Sequence, residues 1–242
     1  MNTSDITPTV VLVHGAFVDA SSWNGVIAEL KAAALDVVAP PNLLRGVGVD
    51  AAYLTGFVAS LGRPAVLAGH SYAGAVISQT GSDAGNVAGL VYVAAYAPEA
   101  GETLSAINAR YPDVPLSSAL RTFTYTGERG EQATDTFVDP TLFHDAVCAE
   151  APADVADTLA RTQRPASLAC FATAVTGTPA WQTLPSWAVV ATADHAIHPH
   201  AERDMAKRAG SETTEIDASH AVPATHPADV AAVIVRAVKA IR

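Results

Sequence analysis

Short aliphatic runs separated by stretches of helical periodicity recur along this 242-residue chain, and that alternation constrains the fold more than any other feature. Runs fall at Thr9–Val13, Asp36–Ala39, Ala65–Ala68, Gly89–Ala94, Trp187–Thr192 and Glu212–Ile216, each of strand length. Helical patterns lie between them. Trp23, Val26, Ile27 and Leu30 share one face, with Ser21 or Ser22 placed to cap it. Asp50–Leu61 forms a second pattern, a third begins at or just after Ser71, and His200–Arg208 stops at Gly210. From Pro227, Val230, Ile234, Ala237, Val238 and Ile241 recur on one face, with Lys239 and Arg242 at the end. Strands alternating with helices predict an α/β class, a mostly parallel six-stranded sheet flanked by helices.

The rhythm breaks once. No strong sheet strand is visible across 98–185, which reads as a small cap insertion in a core domain made of 1–97 and 186–242. The cap carries a Thr/Tyr/Phe-rich stretch at Thr122–Thr126, a turn at Gly127–Gly130, and helices near Thr141–Ala149 and Ala153–Thr162.

Half the residues are hydrophobic and 16% are charged, enough to build a sizeable core and too apolar for a disordered chain. A net charge of −10 argues against nucleic acid or an anionic membrane surface as partner. The two cysteines, Cys148 and Cys170, form neither a disulfide framework nor a metal-ligand pattern. No signal peptide or membrane-spanning run is read, so a cytoplasmic setting is expected. A homodimer is left open.

The strongest local signal is Val66-Leu67-Ala68-Gly69-His70-Ser71-Tyr72-Ala73-Gly74, a strand running into Gly-x-Ser-x-Ala and then a helix. Such a sharp turn lifts a serine hydroxyl clear of the sheet and aims the next backbone N–H, here that of Tyr72, at a developing oxyanion. The motif usually ends in glycine, and Ala73 stands there instead; a buried turn serine has the same spelling. Three further features favour catalysis. The first strand ends in His14-Gly15-Ala16, where a second oxyanion-hole N–H belongs; Ala16 is the expected donor, with Phe17 the alternative. Asp194 and His220 each follow a core strand, in the chain order Ser…Asp…His. Ser71 is thus the candidate nucleophile, His220 the base and Asp194 the orienting acid. Asp217 is a rival acid. His195, His198 and His200 lack a matched carboxylate set, so no metal is expected, and the chemistry requires no cofactor. His14 and His70 read as structural, and His226 as a surface residue.

On these residues the chain resembles the α/β-hydrolase superfamily along nearly its full length. It looks most similar to the branch of plant methyl esterases, plant hydroxynitrile lyases and small bacterial esterases. The match extends to Trp23, to Leu90-Val91-Tyr92-Val93-Ala94-Ala95-Tyr96-Ala97-Pro98, to Ser219-His220, and in the cap to Phe123-Thr124-Tyr125-Thr126, Phe143 and Arg164-Pro165-Ala166-Ser167-Leu168. The resemblance implies a six-stranded sheet, because the first two strands of larger members are missing. It implies a serine hydrolase acting on small or aromatic carboxylic esters. Lyases of the branch carry a threonine at the position of Gly15 and a lysine at that of Ala221, so an esterase is the better reading. Two alternatives stay open: a lyase or other C–C cleaving enzyme on the same triad, and a non-catalytic ligand-binding member. Phe17 and Tyr125 are the candidate substrate contacts among the aromatics Phe17, Trp23, Tyr96, Phe123, Tyr125, Phe137, Phe143 and Trp181. Aromatics in a cap more often form its own core.

Overall fold

The computed structural model describes residues 7–127 and 129–241. Glu128, inside the turn expected at Gly127–Gly130, and Arg242, expected at the last helix end, lie outside the described residues, as does the extreme N-terminus. In chain order, β1 (Thr9–Val13), α1 (Asn24–Ala32), β2 (Val37–Val38), α2 (Val47–Ser60), β3 (Ala65–His70), α3 (Ala73–Asp83) and β4 (Val87–Val93) come first. The chain then leaves this alternation for α4 (Leu104–Asn108), α5 (Pro115–Ala119), β5 (Leu120–Thr126), β6 (Gln132–Val138), α6 (Phe143–Val147), α7 (Ala153–Thr162), β7 (Ala166–Ser167) and α8 (Ala169–Ala172). It returns through β8 (Ser186–Ala191), α9 (Pro199–Arg208), β9 (Glu212–Ile216), α10 (Val222–Thr225) and α11 (Pro227–Ile241).

The six expected runs form one sheet in the order β2-β1-β3-β4-β8-β9, every neighbouring pair parallel. Side chains alternate across it. Val10, Leu12, Val66, Ala68, Val91 and Val189 pack on one face with Trp23, Val26 and Leu30 of α1 and Val230, Ile234, Ala237 and Val238 of α11. Val11, Val13, Leu67 and Tyr92 face the other way, into a core with Leu54 and Val58 of α2, Val76 and Ile77 of α3, and Met205 of α9. Both faces of the central strands are covered, which is why β1, β3, β4 and β8 read as apolar runs, whereas the edge strand β9 is mostly exposed. Among the described residues no helix is long and apolar enough to cross a membrane.

Several boundaries differ from expectation. The second strand shrinks to two residues, the third runs on to His70, and α2 starts at Val47 rather than Asp50. The first helix is entered through a 3₁₀ turn capped by Asp19, whose carboxylate accepts the Ser21 N–H at 2.8 Å, so neither Ser21 nor Ser22 is the cap. The largest difference is in the insertion, where β5, β6 and β7 form an antiparallel sheet of their own. Residues 121–126 of β5 are all exposed, so no apolar alternation marked the strand, and its Thr/Tyr/Phe content was the only signal.

Candidate active site

Ser71 occupies the turn between β3 and α3 with φ +56°, a left-handed conformation that costs a non-glycine residue energy and marks a built-in strain. Three hydrogen bonds hold it there. Its N–H donates to Val93 O (3.1 Å), and its carbonyl accepts from Gly74 N (3.0 Å) and Tyr96 N (3.2 Å). The departure from the usual motif has a local reason. At Gly74 a Cβ would fall on the Tyr96 carbonyl oxygen, so glycine is needed where α3 crowds the chain after β4. Ala73, by contrast, turns its methyl into the core and is fully buried.

Asp194 lies three residues beyond β8 and His220 four beyond β9, at the same sheet edge as Ser71. The structure brings all three together. Ser71 Oγ is 2.8 Å from His220 Nε2, and His220 Nδ1 is 2.6 Å from Asp194 Oδ2. These partners fix the tautomer: Nδ1 donates to the carboxylate and Nε2 accepts from the serine. Asp194 Oδ1 further accepts the N–H groups of Ala196 (2.6 Å) and Ile197 (2.8 Å). Burial pushes the Asp194 carboxyl up, but the facing imidazole and these donors prevail and hold it below the ordinary carboxylate value. The insertion grips the histidine loop from outside, with Val147 O accepting from Ala221 N at 2.8 Å and Glu150 Oε1 from Ser219 N at 3.1 Å.

The N–H groups of Tyr72, Ala16 and Phe17 have no acceptor among the described residues. Phe17 itself is left-handed, with φ +64°. The turn that carries Ala16 and Phe17 abuts the elbow so closely that a Cβ on Gly15 would sit 2.8 Å from Ser71 Cβ. His14 braces it, donating from Nδ1 to Gly15 O (2.9 Å) and accepting Asn42 N–H at Nε2 (2.9 Å).

Over Ser71 lies a narrow, largely apolar cavity of about 20 Å³. Ala16, Phe17, Tyr96, Leu116, Phe171 and Ile197 are among its walls. Of the two expected substrate contacts, Phe17 lines this cavity and Tyr125 does not. Tyr125 sits on β5 at the outer face of the insertion, where its hydroxyl accepts from Arg45 Nη1 at 2.9 Å. Of the other aromatics named from the sequence only Tyr96 reaches the cavity; Trp23 and Phe143 are core, and Trp181 Nε1 donates to Pro98 O. Leu116, Phe171 and Ile197 were missed, since single apolar residues in short helices and loops carry no pattern. A wider groove of about 330 Å³ around Tyr111 and His198 is lined by none of Ser71, Asp194 and His220.

The rival residues lie elsewhere. Asp217 is bonded to Thr192 Oγ1, and His195 donates to Asp145 O. Among the described residues no group of three or more His, Cys, Asp or Glu is placed to hold a metal ion. His70 donates from Nε2 to His220 O at 2.9 Å, and burial followed by the charge of His220 lowers its pKa to about 3. Asp50 was not singled out from the sequence. It is buried, accepts the Tyr72 hydroxyl at 2.7 Å and Arg45 N–H at 3.0 Å, and burial raises its carboxyl.

Similarity to known proteins agrees with this architecture. No curated protein matches the chain by sequence. Solved structures do match by shape. A pyrethroid hydrolase from Sphingobium faniae JZ-2 is 19% identical with a TM-score of 0.76, over 96% of this chain and 98% of that one. Polyneuridine aldehyde esterase is 16% identical with a TM-score of 0.81, over 96% and 99%. A methylesterase from Arabidopsis is 16% identical with a TM-score of 0.77, over the same shares. At such identities the likeness is one of fold. The model of the alpha/beta hydrolase family matches residues 10–233, nearly the whole chain, and by that match this protein belongs to the α/β-hydrolase family.

Proposed function

We propose that the protein is a carboxylic-ester hydrolase that works through Ser71, His220 and Asp194. The supporting observation is the unbroken relay from Ser71 Oγ through His220 to Asp194, with unpaired N–H groups beside the serine. In this mechanism Ser71 Oγ attacks the ester carbonyl carbon as its proton passes to His220 Nε2. Asp194 stabilises the imidazolium. The N–H groups of Tyr72 and Ala16 hold the tetrahedral oxyanion, a contribution of roughly 3 kcal/mol for one such donor. Collapse expels the alkoxide, which takes the proton from His220 and leaves an acyl-Ser71 ester. Water, deprotonated by His220, then attacks the acyl carbon, and His220 returns the proton to Ser71 Oγ as the acid leaves.

The narrow cleft and its apolar walls favour small esters with aliphatic or aromatic acyl groups. The neighbours named as a hydrolase and as esterases point the same way. Against a lyase stand Gly15, where even a Cβ would press on Ser71 Cβ, and Ala221, a buried methyl that supplies no ammonium. Aryl esters of graded acyl length assayed beside aromatic cyanohydrins test the choice. Ester turnover without cyanide release is expected; cyanide release without ester turnover refutes the reading.

A further inference from the structure

Asp194 has a second carboxyl at its back. Glu202, on α9, is 3% exposed, and its Oε2 accepts from the N–H of Ala191, three residues before Asp194, so that each carboxyl bears on the charge of the other. Two carboxyl groups buried near one another do not both ionise, and one of them keeps its proton. The surrounding donors decide which. Asp194 accepts three N–H groups, those of Ala196, Ile197 and His220 Nδ1. Glu202 accepts one, from Ala191 N to Oε2 at 3.1 Å, and its Oε1 is buried with no donor facing it among the described residues. Three donors favour the charge on Asp194, and the bare Oε1 is where the proton belongs.

We propose that Glu202 is a positioning residue: a neutral carboxylic acid whose Oε1–H donates to the Asp194 carboxylate and fixes the group that steers His220. It rests on the reading of Ser71, His220 and Asp194 as a catalytic set. Burial, and after it the charge of Asp194, raises the Glu202 carboxyl well above its usual value, with Arg203 opposing. Tyr96 is the other titratable group that senses both carboxyls, and Glu202 lines a small cavity with Tyr92, Ala95, Ala97, Ala188 and Ala206. The acid thus sits in an apolar setting where a charge of its own is disfavoured.

Glu202→Gln keeps the geometry, since its amide oxygen accepts from Ala191 and its NH₂ donates to Asp194. Ester hydrolysis by this variant is expected unchanged within about twofold, with the acidic limb of kcat/KM against pH unmoved. An ionised Glu202 predicts otherwise: losing a negative charge weakens proton binding at His220, and the limb moves to lower pH. That shift overturns the proposal. Glu202→Leu keeps the bulk but removes the donor, and kcat is expected to fall by roughly tenfold to a hundredfold at constant KM, the scale for residues that orient functional side chains. Wild-type kcat in a folded Glu202→Leu protein also overturns it. Should the leucine variant not fold, the glutamine profile decides. Infrared difference spectra give an answer independent of turnover. The C=O stretch of a protonated carboxylic acid is expected at neutral pH in wild type and lost in Glu202→Gln, and its absence in wild type counts against the proposal. Ser71→Ala separates the two levels. Hydrolysis that survives it removes the catalytic reading, whereas Ser71-dependent hydrolysis with an unaffected Glu202→Leu removes only the role of Glu202.

Discussion

Two buried imidazoles stand 4.8 Å apart beside Ser71, and their surroundings assign them different work. His220 has an acceptor on one side and a hydroxyl on the other, so it can exchange a proton. His70 only donates, to the His220 carbonyl, and stays neutral until about pH 3. In the unfolded chain the same group takes a proton near its ordinary value of 6.5. Between those values the unfolded state binds the extra proton, so stability falls as pH drops from about 6.5 toward 3. Urea midpoints measured across that window should decline, and His70→Gln should flatten the decline by up to about 1.4 kcal/mol per pH unit. An unchanged slope would mean that His70 is not held neutral. Asp194 offers a sharper residue-scale expectation. Asp194→Asn should lower kcat by about 10³ to 10⁴ with the fold intact, because an amide stabilises the wrong imidazole tautomer. A loss below tenfold in steady-state kinetics would remove Asp194 from the triad.

At the scale of elements, the strand-turn-helix of β3, Ser71 and α3 holds only because α3 can approach the Ala95–Tyr96 backbone. Gly74→Ala should therefore cost about 1–3 kcal/mol or more, seen as a lowered thermal midpoint, while Ala73→Gly should matter less. Equal midpoints for Gly74→Ala and wild type would contradict this account of the shifted glycine. The same elements show what was legible beforehand. Strands buried on both faces announce themselves as apolar runs, so β1, β3, β4 and β8 were visible, while the half-buried β2 and the mostly exposed β9 were legible from their short β-branched stretches between helices; with the six strands came the loops that carry Ser71, Asp194 and His220. The exposed strand β5 and the polar β6 have no such signature, and their pairing depends on a partner that no local window contains. Asp50, Phe171 and Glu202 were invisible for a related reason. Each acquires its role from a contact distant in sequence or from burial alone, Asp50 through Tyr72 and Glu202 behind Asp194.

At the scale of the whole molecule, the sheet supplies a fixed edge, and the insertion adds Leu116, Val147 and Phe171 to walls otherwise built by the core. Arg45, on the sheet side, forms paired 2.9 Å bonds to both carboxylate oxygens of Asp135 on β6, and Val147 and Glu150 hold the histidine loop. Phe171 stacks on Phe17 at 6.0 Å and closes one side of the cavity. Phe171→Ala should then shift kcat/KM toward bulkier acyl groups relative to acetate by about tenfold; an unaltered ratio would place the acyl group elsewhere. The central claim is that Ser71 is the nucleophile, and covalent capture tests it most directly. Intact and peptide mass spectrometry after treatment with a fluorophosphonate should show one adduct, on Ser71, absent from a folded Ser71→Ala variant. A folded wild-type protein that stays unlabelled, or one labelled at another residue, would contradict the account.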